Sequence, residues 1–454
     1  MTQARCLLAL LLALIGPGAA PVIAQSPDWG EILGPRQGKL PAPVGYKVQW
    51  RTDLYAAMAE AKKENRPLFV TFRCLPCKQC SAFDKEVLEG GTDLDPILLK
   101  FITVRITDAT MIDFRIFPVE GYQDLDLSWW GWVLSPEGSV YSVYGGRDNV
   151  SDATRISKPS LIRTLESALA WHSDPRREKW NLDRPKPDMS QPLSNAKTLP
   201  GFASWDARRP AREKQNANCI HCHQVADILR TASIDAKTFD KRKDVQVWPL
   251  PENVGIEVER DHGLLVKQVK ANSPAAKAGI QKGDILGAAE NQVLFSQTDF
   301  RGVLHRGPRG AGEINVVWLR NGQPMTGTLE VEHGWRRTEL DWRISISQGV
   351  IGAGPTFFPL KVSSGKRKQL GIHPKSMAVQ PFMGTASDRA AYLAGLRSKH
   401  VVTSVNGMSP DLDGRAFLVW FRMKFNPGDK INMGYRDEAG LPQMATFTLP
   451  AREE

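Results

Sequence analysis

The sequence predicts a multidomain protein in which an α/β domain is followed by a short helical segment and two β-rich domains. Three observations lead to this organisation. Strand and helix patterns alternate between residues 46 and 173, a Pro-rich polar linker occupies 174–200, and two similar β-rich stretches fill the second half of the chain. With 454 residues, the chain is long enough for roughly two to four domains.

The first 24 residues have the pattern of a secretory signal peptide. Arg5 is the basic residue, Leu7 to Ile15 form the apolar region, and Val22-Ile23-Ala24 is the expected cleavage site. A linker follows at 25–45. This apolar region is too short for a confident membrane span, so we expect an exported protein of the periplasm or another extracytoplasmic space, without stable membrane insertion.

The predicted α/β domain covers residues 46–173. Apolar residues at helical spacing predict its first helix, and short apolar runs predict its strands, the last of which leads into a hairpin. The expected helices are Asp53 to Asn65, Ser81 to Glu89 and Ser160 to Trp171; the expected strands are Pro67 to Arg73, Phe101 to Thr107 and Trp130 to Ser135.

Three cysteines directly follow the first strand, in the stretch "FRCLPCKQCSAFDKEV". It contains two overlapping Cys-x-x-Cys pairs, Cys74 with Cys77 and Cys77 with Cys80. The stretch resembles the thioredoxin-like family, whose pattern, counted from the end of the strand, falls on Cys77 and Cys80, with Phe83 and Asp84 on the helix that follows. The resemblance implies that Cys77 is the nucleophile, Cys80 the resolving thiol and Cys74 an auxiliary thiol.

The expected position of Cys77 at a helix N-terminus favours its thiolate, because unpaired amide groups and the helix dipole attract negative charge. The family's cis-proline is replaced by Ser128 or Trp129 in "DLSWWGWV". Without that ring, three thiols also suit a soft metal such as Cu(I). Three alternatives stay open: thiol–disulfide exchange, Cu(I) binding, and a structural disulfide with a spare thiol.

A second cluster, Cys219, Cys222 and His223, lies in a segment expected at 201–250. Cys-x-x-Cys-His is the attachment signature of a c-type haem, in which both thiols bind the haem covalently and the histidine, here His223, ligates the iron. A zinc site would need a second ligand pair, and none follows within the next fifty residues. For the sixth iron position His262 or a lysine is a candidate, whereas His221 is expected to face away. A structural disulfide or a chance match is the alternative.

The second half of the chain contains "GLLVKQVKANSPAAKAGIQKGDIL" and a weaker copy, "GTASDRAAYLAGLRSKHVVTSVNG". The first resembles PDZ domains of bacterial periplasmic proteases, and we place the two modules at 251–345 and 346–454. The resemblance implies a loop that binds a peptide carboxylate before a ligand-facing strand. The residues expected there are Val254, Gly255 and Ile256 in the first module and Leu370, Gly371 and Ile372 in the second.

A peptide would bind these modules by adding a strand to the sheet. The alternative is that the grooves are closed and the modules serve packing or dimerisation. No Gly-x-Ser-Gly nucleophile loop accompanies them, so proteolysis is not predicted. The net charge of +10 comes without a dense basic run, which argues against a nucleic-acid partner.

The whole chain resembles a family of bacterial exported thioredoxin-like and PDZ domain-containing proteins, some of which carry selenocysteine. Because two electron-active groups and a peptide-binding module occur on one chain, the leading hypothesis is a redox protein. It would couple a dithiol and a covalent haem c to binding of an exported protein or a C-terminal peptide, by electron transfer or thiol–disulfide exchange, with thiol–disulfide oxidoreductase activity left open. The other hypothesis is a non-catalytic PDZ scaffold or copper-handling protein whose cysteine cluster binds metal.

Overall fold

The computed structural model describes residues 27–41, 47–73, 83, 87–88, 93–147, 156–209, 220–347, 351–383 and 389–450. Cys74, Cys77, Cys80 and Cys219 lie outside these ranges. Within the ranges, no helix has both the length and the apolar composition that crossing a membrane requires.

The first domain is a four-stranded sheet with strand order β2-β1-β3-β4, flanked by helices. Strand β1 is parallel to β2 and antiparallel to β3, and β3 forms a hairpin with β4. The strands are β1 Leu68–Phe72, β2 Ile102–Ile106, β3 Ser128–Leu134 and β4 Val140–Arg147; the helices up to this domain's end are α1 Trp29–Leu33, α2 Leu54–Glu64, α3 Asp95–Leu98, α4 Val119–Tyr122 and α5 Lys158–Ser173.

Local sequence explains these elements well. The Asp53 side chain caps α2 by accepting from the Ala56 amide, and Asn65 ends the helix in the left-handed conformation. All five residues of β1 are buried, as expected for a central strand covered on both faces. The predicted first and last helices, the three strands and the hairpin are confirmed. Of the predicted helix Ser81 to Glu89, Phe83 is helical and Val87 and Leu88 form a π-helical pair; its other residues lie outside the described ones.

The linker and the segment that carries the second cysteine cluster follow. Their helices are α6 Arg177–Trp180, α7 Phe202–Ala207, α8 Cys222–Asp235 and α9 Lys241–Asp244. Helix α8 packs on α7 and, through Val225 and Ile228, joins the core of the first domain, which includes Ile112 and Leu125. The described part of helix α8 therefore shares the core of the first domain.

The first β-rich module has a ribbon of β5 and β6 and a sheet with order β10-β9-β7-β8. A bridge between Leu265 and Ile285 links the ribbon to β7. Its elements are β5 Ile256–Val258, β6 Val266–Val269, α10 Pro274–Lys277, β7 Ile285–Ala289, β8 Gln292–Val293, α11 Gln297–Arg306, β9 Gly312–Arg320 and β10 Gln323–Val331; the short helix α12 Ile344–Ser347 follows.

The second module repeats this arrangement in a single sheet with order β11-β12-β13-β14-β15. Its elements are β11 Phe358–Lys361, α13 Ser364–Gln369, β12 Val379–Phe382, α14 Ala390–Leu393, β13 Val401–Val405, α15 Gly414–Lys424, β14 Lys430–Arg436 and β15 Pro442–Thr448. Strand β11 takes the place that β5 has in the first module, so the predicted tandem repeat extends to the order of its strands.

The prediction for the second module's loop is wrong. Leu370, Gly371 and Ile372 follow α13, in the connection between β11 and β12, and not before the edge strand β11. The topologically equivalent loop ends at Thr356, whose φ of +65° corresponds to the φ of +86° at Gly255. The glycine of "QLGI" suggested the wrong match because the second module uses a threonine where the first uses a glycine.

Candidate redox site

A cavity of about 180 Å³ lies where the cysteine-bearing segments meet the first domain. Its walls come from the end of β1 at Phe72 and Arg73, the start of β3 at Ser128 and Trp129, and the segment Ile220 to His223. The remaining walls are mostly apolar and include Ile106, Ala109, Ile112, Leu125 and Leu127, with Asp108 and Asp126 as the carboxylates.

Cys74, Cys77, Cys80 and Cys219 are outside the described residues, but their chain neighbours border this cavity. Arg73 precedes Cys74 and lines the wall, as does Ile220, which follows Cys219. Phe83, three residues after Cys80, contacts Trp129 with ring centroids 4.3 Å apart. The described residues that flank both cysteine clusters, Arg73 and Ile220, therefore lie at one end of the sheet.

Trp129, one of the two residues expected at the family's proline position, has a left-handed backbone with φ of +57° and is 1% exposed. A bulky residue in this conformation is a backbone outlier, of the kind that concentrates at functional sites. Tight packing holds it there, because a side chain at Gly145 would lie 2.4 Å from the Trp129 carbonyl oxygen. The sequence identified the substitution but gave no indication of the strained backbone.

Cys222 and His223 begin helix α8, which places the histidine at the cavity wall. Burial and, to a smaller extent, the nearby His221 lower the pKa of His223 to about 4, although the carboxylate of Asp126 acts in the opposite direction. At neutral pH the imidazole is therefore uncharged, the form that ligates a metal.

The sequence analysis expected His221 to face away from the iron position, whereas in the structure it lies beside His223. Its ring stacks on that of His223, with centroids 5.4 Å apart and planes 6° from parallel, and it lines the same cavity. The stacking arises because the chain is still extended at His221, which precedes the first helical residue. His262 is not among the lining residues; its charged neighbours are Arg163 and Glu259, so the structure does not place it as a ligand to this site.

Asp126 connects the cavity to a buried ionic network. Its carboxylate accepts from Arg343 Nη1 at 2.8 Å and from the Ser345 amide at 2.8 Å. Arg343 also donates to Asp124 at 2.9 Å, and Asp124 accepts from Arg301 of α11 at 2.7 Å. Three parts of the chain thus share one charge cluster. No local sequence pattern could have paired these residues, which lie more than 170 positions apart.

The residues present suit a c-type haem in donor chemistry. His223 supplies a neutral buried imidazole, Cys222 lies beside it, and most of the wall is apolar. The cavity of about 180 Å³ is smaller than the ~300 Å³ at the lower end of cofactor pockets, so a haem would extend past the described walls. Within the described residues, no group of three His, Cys, Asp or Glu side chains could hold a metal ion.

The predicted peptide loop of the first module is well formed but buried. Val254 and Ile256 are 0% exposed and pack with Val303 of α11 in the module core. Gly255 must be a glycine, because its φ is +86° and a side chain there would lie 2.1 Å from Ser273.

Helix α11 is buried at every residue from Gln297 to Leu304. One face joins the module core and the other packs on β4 of the first domain. There, Asp299 accepts from Ser142 Oγ at 2.7 Å and from the Val143 amide at 3.1 Å. In the described structure the first module is therefore docked onto the first domain through α11.

Comparison with known families agrees with these two folds. Residues 49–117 match the model of a thioredoxin-like family, and residues 252–331 match that of the PDZ domain. The chain therefore contains a thioredoxin-like domain and a PDZ domain, which confirms these two predictions. The haem motif and the PDZ character of the second module stay predictions.

Three curated relatives are bacterial proteases. The chain is 32% identical over 98 residues to the periplasmic serine endoprotease DegP of Salmonella typhimurium. This match covers 22% of this chain and 20% of that protein. It is 26% identical over 76 residues to the serine protease Do-like HtrA of Bacillus subtilis, and this match covers 17% of both proteins. It is 34% identical over 64 residues to the serine protease Do-like HtrB of the same organism, and this match covers 14% of both proteins. The chain thus spans a fifth or less of the length of these relatives.

Proposed function

We propose that this chain is an exported redox protein in which the thioredoxin-like cysteine cluster and the Cys219–His223 segment act at one cavity. The observation that carries the proposal is the cavity wall, where Arg73, Trp129 and Ile220 to His223 meet. These residues come from distant parts of the sequence. Arg73 and Ile220 to His223 belong to or adjoin a cysteine motif, and Trp129 packs against Phe83, three residues after Cys80. Mere structural disulfides would not require such a convergence.

One turnover of the thiol chemistry needs only the reduced dithiol of this chain and a polypeptide disulfide, and a thiol reductant then restores the dithiol. The Cys77 thiolate attacks the substrate disulfide and forms a mixed disulfide, which releases one substrate thiol. Cys80 then attacks the Cys77 sulfur, releases the second substrate thiol and leaves a Cys77–Cys80 disulfide. Two electrons pass to the substrate, so the pair must be reduced again before the next cycle.

Cys219, Cys222 and His223 would hold a haem c, which supplies one-electron transfer when bound. His223 is uncharged at neutral pH, and its lone pair is therefore free for iron. The buried Trp129 and Phe72 supply part of the cavity's apolar wall. Asp126, held by Arg343, places a fixed negative charge beside the imidazole.

Location and partner follow from the same proposal. The signal-like N-terminus and the similarity to a protein named as periplasmic support export. A PDZ domain supports binding of an exported protein or its C-terminal peptide. Because α11 is covered in the described structure, we place such binding in a state in which the first module has moved away from the thioredoxin-like domain.

The test begins with the pyridine haemochrome spectrum of the full chain, expressed with a cytochrome c maturation system. We expect a covalent c-type band that is lost in Cys219→Ala and kept in Cys74→Ala. Insulin reduction should then fall at least tenfold in Cys77→Ser. Absence of the band in the unmodified chain would refute the haem, and an unchanged rate in Cys77→Ser would refute the thiol chemistry.

A second candidate is a non-catalytic scaffold or copper-handling protein. The burial of Val254, Ile256 and α11 favours it, because a module with a covered groove serves packing. In that case the cysteine cluster would bind Cu(I). Stoichiometric Cu(I) uptake that disappears in the Cys77→Ser/Cys80→Ser double variant, combined with no insulin reduction, would select this candidate.

A further inference from the structure

A second, larger cavity of about 560 Å³ lies between the thioredoxin-like domain, the linker and the PDZ domain. Its volume is within the ~300–1,000 Å³ typical of ligand pockets. Tyr122, Arg184, Gln292 and Arg306 are among its lining residues, none of which borders the redox cavity. All three parts of the chain therefore contribute to its walls.

Two guanidinium groups converge in this cavity. Arg184 and Arg306 each contact the ring of Tyr122, with their guanidinium carbons 4.5 and 4.4 Å from its centroid. Partial removal from water and the charge of Arg184 lower the pKa of Arg306, against the opposite influence of Tyr122 and Asp299. Two positive charges on the wall of one cavity favour an anionic ligand there.

Two hydrogen-bond donors at this place, Arg184 Nη1 and Gln292 Nε2, have no partner among the described residues. Arg306 donates to the Gly121 carbonyl and to the side-chain oxygen of Gln292, which are neutral acceptors. Arg184 has an 11% exposed side chain that reaches Asp299 at 3.4 Å, yet its Nη1 has no partner among the described residues. The Nε2 group of Gln292 likewise has none. Buried donors without acceptors are costly, so a bound acceptor would stabilise the site.

The other wall restricts the charge of the ligand. Glu290 and Glu313 line the cavity with exposed side chains. Glu290 and Asn291 form the tight turn between β7 and β8, and both have positive φ, which fixes this wall. The two carboxylates repel a second negative charge and attract a cationic group.

From these contacts we propose that the cavity binds a small zwitterion, whose carboxylate lies between Arg184 and Arg306 and whose ammonium group faces Glu290 and Glu313. The Nε2 group of Gln292 donates to the same carboxylate. Such a ligand would be a free amino acid or a very short peptide. Because it would touch all three parts of the chain, its binding would also hold the PDZ domain against the thioredoxin-like domain.

Isothermal titration calorimetry of the full chain tests this with glycylglycine, N-acetylglycine and inorganic phosphate as probes. We expect saturable binding of glycylglycine, at least tenfold weaker binding of N-acetylglycine, which lacks the ammonium group, and weaker binding still of phosphate. Equal binding of all three would show an unselective anion site and overturn the proposed ligand class. No binding of glycylglycine at millimolar concentration would overturn the site itself.

Two variants locate the site. Arg306→Met should weaken glycylglycine binding at least tenfold. Arg309→Met should not, because Arg309 follows three residues later in the chain but does not line this cavity. Gln292→Glu keeps the acceptor for Arg306 and replaces the free donor with a negative oxygen. It should abolish binding while the chain keeps its thermal stability. Unchanged affinity in Arg306→Met or in Gln292→Glu would refute the assignment.

Discussion

Replacement of Arg343 by methionine is the most informative perturbation of the fold. The Arg343 side chain is 0% exposed, and its guanidinium donates to Asp124 at 2.9 Å, to Asp126 at 2.8 Å and to the Val247 carbonyl at 2.8 Å. Methionine fills a similar space without charge. The change therefore removes the cation from a buried cluster and leaves two carboxylates.

The size of the loss in unfolding free energy follows from the partners that each carboxylate retains. Breaking a buried pair by removal of one partner costs about 3–5 kcal/mol. Asp124 retains Arg301 at 2.7 Å, whereas Asp126 retains the Ser345 amide and only a distant Arg230 at 3.9 Å. Because one of the two carboxylates still has a close cation, we expect a loss of about 3 kcal/mol in the free energy of unfolding at pH 7.

The loss should depend on pH. Burial raises the pKa of Asp126, but Arg343, Arg230 and the Ser345 hydrogen bonds outweigh it, and the net pKa is lowered. A carboxyl with a lowered pKa contributes stability above its unfolded pKa of ~3.9 and loses it as the pH falls through the folded value. In Arg343→Met the pKa of Asp126 should rise, so the difference from the unmodified chain should shrink below about pH 4.

Urea unfolding followed by tryptophan fluorescence and circular dichroism measures this effect. Arg309→Met is the control, because Arg309 is 61% exposed and reaches Asp244 only at 3.4 Å; its effect should be below about 0.5 kcal/mol. Adding Asp126→Asn to Arg343→Met should recover part of the loss. A loss below about 1 kcal/mol in Arg343→Met, or one independent of pH, would refute this account of the cluster.

Three further predictions concern other sites. His305 stacks on Trp248 and its Nδ1 accepts from the Trp248 amide; burial, followed by the charge of Arg336, lowers its pKa to about 3. Stability should therefore fall by about 1.4 kcal/mol per pH unit as the pH drops below ~6.5, and an NMR titration that shows protonation above pH 5 would contradict this. Thr356→Asn should stabilise the second module by about 1 kcal/mol, because asparagine tolerates the φ of +65° better. Thr356→Val should destabilise the module by about 1 kcal/mol, because valine cannot accept the hydrogen bond that the Ala391 amide donates to the Thr356 hydroxyl. Urea midpoints that move in the opposite directions would refute the strain. Asp299→Ala should cost about 2–4 kcal/mol, because it leaves the Val143, Phe295 and Ser296 amides without their acceptor; undiminished protection of α11 in hydrogen exchange would argue against its docking role.

The two cysteine motifs and the elements around β1 could be predicted from sequence because they depend on neighbours along the chain. Asp53 and Asn65 define the ends of α2, and the apolar run from Leu68 to Phe72 defines a buried strand. The repeat of the two β-rich modules could also be predicted from the sequence. Its failure at Leu370 to Ile372 came from a local Gly-Ile match, which carries no information on the strand order that places the true loop before β11.

The amino-acid sequence by itself determined the thioredoxin-like and PDZ folds, the spacing of both cysteine clusters and the linker between the domains. Only the tertiary structure decided that Ile220 to His223 meets Arg73 and Trp129 at one cavity. It also decided that α11 is covered and that Arg343 lies between two aspartates. These features depend on contacts between residues that are distant in the sequence and on the burial of charge. Neither property belongs to any single stretch of the chain.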